Sequence, residues 1–292
     1  MKIIIPMSGE GARFKRAGYT DPKPLIKVHG KPIIEYVVSL FPGENDFIFV
    51  CRDEHLATTD MRETLLRLKP SARIVSIPAH KFGPVYAVLQ AAEFIRDDEP
   101  VVVNYCDFFM RWDWADFKRT VLESGAHGCV PAYLGFHPHL LHEKNFYASM
   151  RLEADGKMAE IREKHSFTPD KTQSPQSPGT YYFATGAILK KYFRQMLDED
   201  VQLNGEYYAS LVFNLLKRDG LDVGVYDRIP HFCQWGTPED LREYEFWTDL
   251  IENAPPEDWA AKAAARFPAY GPETVDKIIN YWRGYLGLLP KS

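Results

Sequence analysis

The feature that most constrains this chain is the regular alternation of short apolar runs with amphipathic stretches. Residues 2–6 (KIIIP) form an apolar run of strand length with no polar face, as expected of a strand buried on both sides. Residues 33–40 have helical spacing and follow Pro32, a favoured first-turn residue. Residues 46–51 read as a strand, 55–68 as a helix, 73–77 as a strand, 84–95 as a helix and 100–105 as a strand. This order predicts an α/β fold with a mixed, mainly parallel sheet sandwiched by helices. Ligands of such sheets sit beyond the carboxyl ends of the strands. Residues 9–13 and Asp107 both fall at such ends, so the fold can bring them together.

The second half is more varied. Residues 129–135 and 148–153 read as strands. Residues 166–179 (SFTPDKTQSPQSPG) have no periodicity and read as a long, mobile loop. Residues 206–216 read as an amphipathic helix, 221–226 as a strand, and 238–251 as a helix capped by Thr237. Past Ala254-Pro255-Pro256 come short helices. The expected division is therefore a catalytic-type domain over 1–251 and a helical C-terminal extension over 252–292. The extension carries Trp259, Phe267, Tyr270, Tyr281, Trp282 and Tyr285, more aromatic surface than a free tail needs. It either packs back on the domain or forms a contact between subunits of a homo-oligomer.

Composition narrows the function. The 35 Lys and Arg residues against 40 Asp and Glu give a net charge of −5, which argues against a nucleic-acid partner. No apolar run approaches the roughly 20 residues of a membrane span, and the opening lacks the pattern of a secretory leader. Cys51, Cys106, Cys129 and Cys233 are scattered without ligand spacing and are expected to be reduced. A cytoplasmic protein that binds neither membrane nor nucleic acid is expected. His137 and His139 flank Pro138 in what reads as a surface loop, and Trp112 and Trp114 read as packing residues.

The residues able to do chemistry begin at the first strand end. Residues 8–14 are SGEGARF, and Lys23 follows between Pro22 and Pro24. Glycines permit a sharp turn and let backbone N–H groups approach an anion. Arg13 offers a forked, permanently charged donor for phosphate oxygens. The pattern is not a P-loop, which needs GK[ST], nor a dinucleotide fingerprint, which needs a third glycine. On these residues alone the loop is a phosphate cradle or an ordinary turn, and Asp107 a metal ligand or a turn residue.

Together, SGEGARF and DPKPLIKVHGKPIIEYVV resemble the signature of the nucleoside-triphosphate transferase family, the nucleotidylyltransferases that make nucleotide sugars. FGPVYAVLQAA, VVVNYCDFF, IREK, NGEYYASLVFNLL and QWGTPEDLREY extend the resemblance to about residue 250. It implies a Rossmann-like, GT-A-like sheet and a Mg2+-dependent transfer that joins a nucleoside triphosphate and a phosphorylated small molecule, releasing pyrophosphate. Ser8, Gly9, Glu10, Gly11 and Arg13 would hold the triphosphate, Lys23 would stabilise charge at the reacting phosphates, and Gly83 would lie near the base. Asp107 would bind Mg2+. Glu163 would meet an acceptor hydroxyl and Lys164 the acceptor phosphate, with Thr180 nearby.

One position departs from the family. An aspartate, the second metal ligand, commonly stands two residues before the glycine of the Gly-Thr-Pro-Glu-Asp segment; here that residue is Gln234. The second ligand is then Gln234, a water or nothing; Asp227 and Asp240 are close in sequence, but sequence alone places neither in the site. The resemblance implies a sugar 1-phosphate acceptor and a product for capsule or other surface polysaccharide synthesis. A CTP-dependent enzyme acting on a non-sugar phosphate such as phosphocholine or phosphoglutamine is the alternative. A catalytically silent nucleotide-binding module is a third reading, motivated by Gln234. A glycosyltransferase is disfavoured because Cys106-Asp107-Phe108 is not a DxD metal motif.

Overall fold

The computed structural model describes residues 1–288. Its centre is a seven-stranded sheet in the order Val223–Ile229, Gly128–Tyr133, Thr180–Phe183, Val101–Asn104, Lys2–Met7, Phe47–Arg52, Arg73–Ile77. Every neighbouring pair is parallel except the two made by Thr180–Phe183. The first strand shows why the sheet is covered on both faces. Ile3, Ile5 and Met7 enter one buried cluster while Ile4 enters the other, as a period of two requires. Each such side chain contributes on the order of 2 kcal/mol when fully buried.

The expected α/β sandwich is present, with local differences that have physical causes. The helix expected over 55–68 breaks into Asp53–Thr58 and Met61–Leu68. Thr59 is extended between them, and its hydroxyl takes up the His55 carbonyl and the Met61 N–H. Over 206–216 only the end is α-helical, Val212–Arg218, because the backbone of Tyr207 is bonded to Phe82 and Val85 instead. The segment 166–179 is not a free loop. Gln176 is fully buried and bridges Tyr133 and Ser149 through its backbone, with Ser174 and Ser177 buried beside it.

His137 and His139 also depart from expectation. His137 is buried against the rings of Tyr133 and Tyr281, and burial pushes its imidazole down to about 4. His139 Nε2 lies 2.9 Å from the Tyr133 hydroxyl. Trp112 and Trp114 pack as expected, against Phe41 and Phe117. All four cysteines are free. Among the described residues no helix is long and apolar enough to cross a membrane.

Three strand pairs outside the main sheet were not foreseen, the shortest being Lys27–Val28 with Lys31–Pro32. Ser149–Leu152 pairs with Met158–Arg162, and Phe108–Arg111 pairs antiparallel with His231–Gln234. Of the C-terminal helices, Pro272–Tyr285 packs on the last of these pairs, through Tyr281 and Tyr285 against His231 and Phe109, and Trp259–Arg266 packs on that helix and on Pro238–Asn253. The Tyr281 hydroxyl accepts from the Phe232 N–H at 3.0 Å and donates to the Phe232 carbonyl at 2.8 Å. Tyr281, Trp282 and Tyr285 are thus buried within the chain itself. Residues 289–292 of the expected extension lie outside the described residues.

Candidate active site

Two cavities open at the carboxyl ends of the parallel strands, and they meet at Asp107. The larger, about 520 Å3, is floored by residues 6–12, closed by Lys23 and Pro24, and bounded opposite by His80 and Gly83. Gly11 sits in the left-handed region at φ 65° and starts the short helix Ala12–Arg16. A side chain there would be strained, so glycine makes the turn that lays the loop backbone along the cavity. Ser8, Gly9, Glu10, Gly11, Lys23 and Gly83 all line this space.

Gly83 is held by a second constraint. Its φ of 83° with ψ near 180° suits glycine alone, and an added Cβ would stand 2.9 Å from the Tyr207 N atom. The Tyr207 N–H donates to the Phe82 carbonyl at 2.9 Å and its carbonyl accepts from Val85 at 3.2 Å. The 80–85 segment is therefore bolted to the segment that carries Glu206 and Tyr208, and those two side chains line both cavities.

His80 is a site residue that sequence reasoning missed. Its Nδ1 accepts from the Phe82 N–H at 3.3 Å, which leaves Nε2 as the donor to Ser8 Oγ at 2.9 Å. The imidazole so spans the cavity from the glycine loop to the Gly83 turn. No spacing in the sequence links His80 to Ser8.

The smaller cavity, about 260 Å3, is where Arg13, Glu163 and Lys164 converge. Arg13 projects to this side of Asp107, next to Ala12 on the other. Lys164 adopts φ 53°, donates its backbone N–H to the Tyr147 carbonyl at 3.1 Å, and reaches the Tyr208 hydroxyl at 3.2 Å. Glu163 accepts a hydrogen bond from Ser210. Burial pushes the Glu163 carboxyl up to about 7, with the Ser210 bond and Lys164 acting the other way. Thr180 does not reach the cavity. Its side chain is fully buried and its hydroxyl donates to Asn104, while Ser177, Gly179 and Tyr181 line the wall instead.

At the junction Lys23 Nζ donates to Asp107 Oδ2 at 2.9 Å. Burial works against the Lys23 charge, but Asp107 and Cys106 more than offset it, and its pKa is raised. Asp107 owes its place to the unforeseen strand pair. Gln234 is in register with Phe108, and the Trp235 N–H extends the ladder to the Asp107 carbonyl at 2.8 Å. That pairing sets Gly236 beside Asp107. A Cβ on Gly236 would lie 3.7 Å from Asp107 Oδ2, 3.7 Å from Asp240 Oδ2 and 3.6 Å from the Tyr147 hydroxyl.

The space over Gly236 is thus ringed by hard oxygen donors, two of them carboxylates, which suits a divalent cation such as Mg2+. Among the described residues no cluster of three or more His, Cys, Asp or Glu has metal-binding geometry. A two-carboxylate arrangement leaves the other positions of such an ion to phosphate oxygens and water. Gln234 makes its contact with Asp240, not with Asp107: its Nε2 donates to Asp240 Oδ1 at 2.6 Å. Burial pushes the Asp240 carboxyl up to about 6, with the Thr237 hydrogen bonds holding it down.

Comparison with known proteins agrees with this architecture. A family model described as a MobA-like NTP transferase domain matches residues 3–169. The nucleoside-diphosphate-sugar pyrophosphorylase from Vibrio cholerae RC9 superposes with a TM-score of 0.67 at 20% identity, over 84% of this chain and 99% of that one. The inositol-1-phosphate CTP transferase from T. maritima superposes with a TM-score of 0.64 at 17% identity, over 87% and 97%. At these identities the likeness to the two structures is one of fold.

Proposed function

This chain belongs to the MobA-like NTP transferase family and is a nucleotidyltransferase, and from that premise we propose that it joins a nucleoside triphosphate to a sugar 1-phosphate. The products are a nucleotide sugar, of the kind from which capsule and surface polysaccharides are built in the cytoplasm, and pyrophosphate. The observation that carries the proposal is the meeting of two cavities at the Lys23–Asp107 pair, one backed by a glycine loop and one by Arg13 and Lys164.

In this reading the triphosphate lies along residues 8–12 with its base towards Gly83. An oxygen of the acceptor phosphate attacks the α-phosphorus. A new P–O bond forms as the bond to the β-phosphate breaks, and pyrophosphate leaves with the electron pair. Two anions must be brought together, so charge neutralisation and alignment are the main tasks of the protein. Arg13 and Lys164 hold the acceptor phosphate. Lys23, released from Asp107 as substrates enter, stabilises charge at the reacting centre. Asp107 would hold Mg2+, which when bound neutralises the triphosphate and draws off charge from the breaking bond.

A second acceptor class is favoured by the lining of the smaller cavity. Beyond the Lys23–Asp107 pair, the carboxyl groups of Glu163, Glu206 and Asp240 face Arg13 and Lys164, and the walls include Tyr105, Tyr147, Tyr181 and Tyr208. Carboxylates among tyrosine rings suit an acceptor that carries a cation, such as phosphocholine. CTP is the matching nucleotide of that alternative.

The test is pyrophosphate release with CTP, UTP, GTP, ATP and dTTP against hexose 1-phosphates, heptose 1-phosphate, phosphocholine and phosphoglutamine in Mg2+. Acceptor-dependent release with a sugar 1-phosphate supports the first reading, and release with phosphocholine alone supports the second. Nucleotide binding with no release from any pair sinks both and leaves a silent module.

A further inference from the structure

Gln234 stands where the family commonly places its second metal-binding aspartate, and the structure shows what this chain does with that exchange. The Gln234 side chain is buried, with Nε2 on Asp240 and Oε1 without a hydrogen-bond partner. Only the NH2 end of an amide can face a carboxylate, so its contact with Asp240 fixes the orientation of the group. Gln234 faces a separate small cavity of about 20 Å3, shared with His139, Glu243 and Trp282, and it does not line the cavity that holds Asp107.

Asp240 lies between the two spaces and lines both. Its carboxylate is held at two points, by Gln234 on Oδ1 and by the Thr237 N–H on Oδ2 at 2.9 Å. Its own N–H donates back to Thr237 Oγ1 at 3.1 Å, completing the cap of helix Pro238–Asn253. Each carboxylate oxygen accepts one hydrogen bond and keeps a second lone-pair site. Oδ2 faces the same point over Gly236 as Asp107 Oδ2.

We propose that Asp240, positioned by Gln234, is the second carboxylate of the divalent-cation site, facing Asp107 across the bare Cα of Gly236. Gln234 is then a positioning residue and not a ligand. It supplies a donor where an aspartate would set a second acceptor against Asp240. Gly236 is required because any side chain begins in the space between the two carboxylates. The proposal rests on the nucleotidyltransferase reading for the presence of a metal, and on this chain alone for the choice of ligand.

Mn2+ binding, followed by the loss of the free-ion electron paramagnetic resonance signal, tests it without turnover. The wild type is expected to bind one Mn2+. Asp240→Asn, like Asp107→Asn, is expected to weaken binding by at least about tenfold, the scale set by even outer-shell changes at metal sites. Asp240→Asn should fold, because the Gln234 amide can rotate to present its oxygen to the new NH2. If it does not fold, Gly236→Ala carries the test. Its backbone is open to alanine, and the new methyl meets its neighbours at ordinary contact distance while filling the proposed site. It too is expected to lose at least about tenfold. Gln234→Ala leaves the Asp240 carboxylate in place but held at one point fewer, and should lose about tenfold, less than Asp240→Asn. The proposal is overturned if Asp240→Asn and Gly236→Ala bind as wild type while Asp107→Asn does not, or if Gln234→Ala loses more than Asp240→Asn. Wild type that binds no Mn2+ overturns it as well, and pyrophosphate release by that same protein would leave the transferase reading standing. Mn2+ bound through Asp240 in a protein that releases no pyrophosphate would do the reverse.

Discussion

Lys23 and Asp107, from opposite sides of the cleft, form an ion pair of 2.9 Å at the point where the two cavities join. Both side chains stay partly open to solvent, so the pair is worth little to stability and much to any chemistry placed there. Lys23→Ala and Asp107→Asn are expected to remain folded and to lose on the order of 100-fold or more in kcat, the scale of one preorganised charge-stabilising group. A purified, folded variant within threefold of wild type would remove these residues from the reaction centre.

Gly83→Ala is expected to act on the larger cavity. The glycine-only backbone conformation and the close Tyr207 backbone together predict a loss of roughly 3 kcal/mol in unfolding free energy. Nucleotide binding should weaken with it, because the Tyr207 bonds hold both walls. Urea melts and nucleotide titrations check this. Unchanged values in both would mean that the turn is not a constraint.

Glu163 predicts a pH dependence of stability. Its carboxyl is raised from the ordinary range to about 7 by burial, so the folded state keeps a proton that the unfolded state releases. Stability contributed by the protonated form is complete below about pH 4.5 and is lost as pH rises to about 7. Glu163→Gln removes that titration, so its stability relative to wild type should rise between pH 5 and pH 8, by up to roughly 3 kcal/mol. Equal differences at the two pH values would contradict the assignment. Acceptor KM should rise in the same variant while KM for the triphosphate stays near wild type.

Tyr281→Phe tests the C-terminal helices. The hydroxyl is the partner of both the N–H and the carbonyl of Phe232, two residues before Gln234. Leaving two buried backbone groups unpaired should cost about 2–4 kcal/mol. It should also lower activity, because that strand sets Gly236 beside Asp107. A variant as stable and active as wild type would show the tail to be dispensable to the site.

Much of this was legible in the sequence. The apolar run of residues 3–5 and the spacing of the following helices announced a covered parallel sheet, because local periodicity decides those elements. The glycine loop, Lys23, Gly83, Asp107, Glu163 and Lys164 line the two cavities where the strand ends predicted a site. What stayed hidden depends on pairing between distant segments. Phe108–Arg111 and His231–Gln234 are too short and too far apart to signal one another, and they bring Asp240 to Asp107. His80 meets Ser8 only after the strands are ordered. Gln176 shows the same limit from another side: a composition of Ser, Pro and Thr reads as mobile, yet its backbone completes a bridge between two strands.

The contributions to the two cavities are unevenly distributed along the chain. The larger is built chiefly from the first 110 residues, whereas Tyr147, Glu163, Lys164 and Ser177 in the smaller come from the second half. In the proposed reading, exchanges at those four positions retune which phosphorylated molecule is accepted, while the triphosphate loop and Lys23 stay in place.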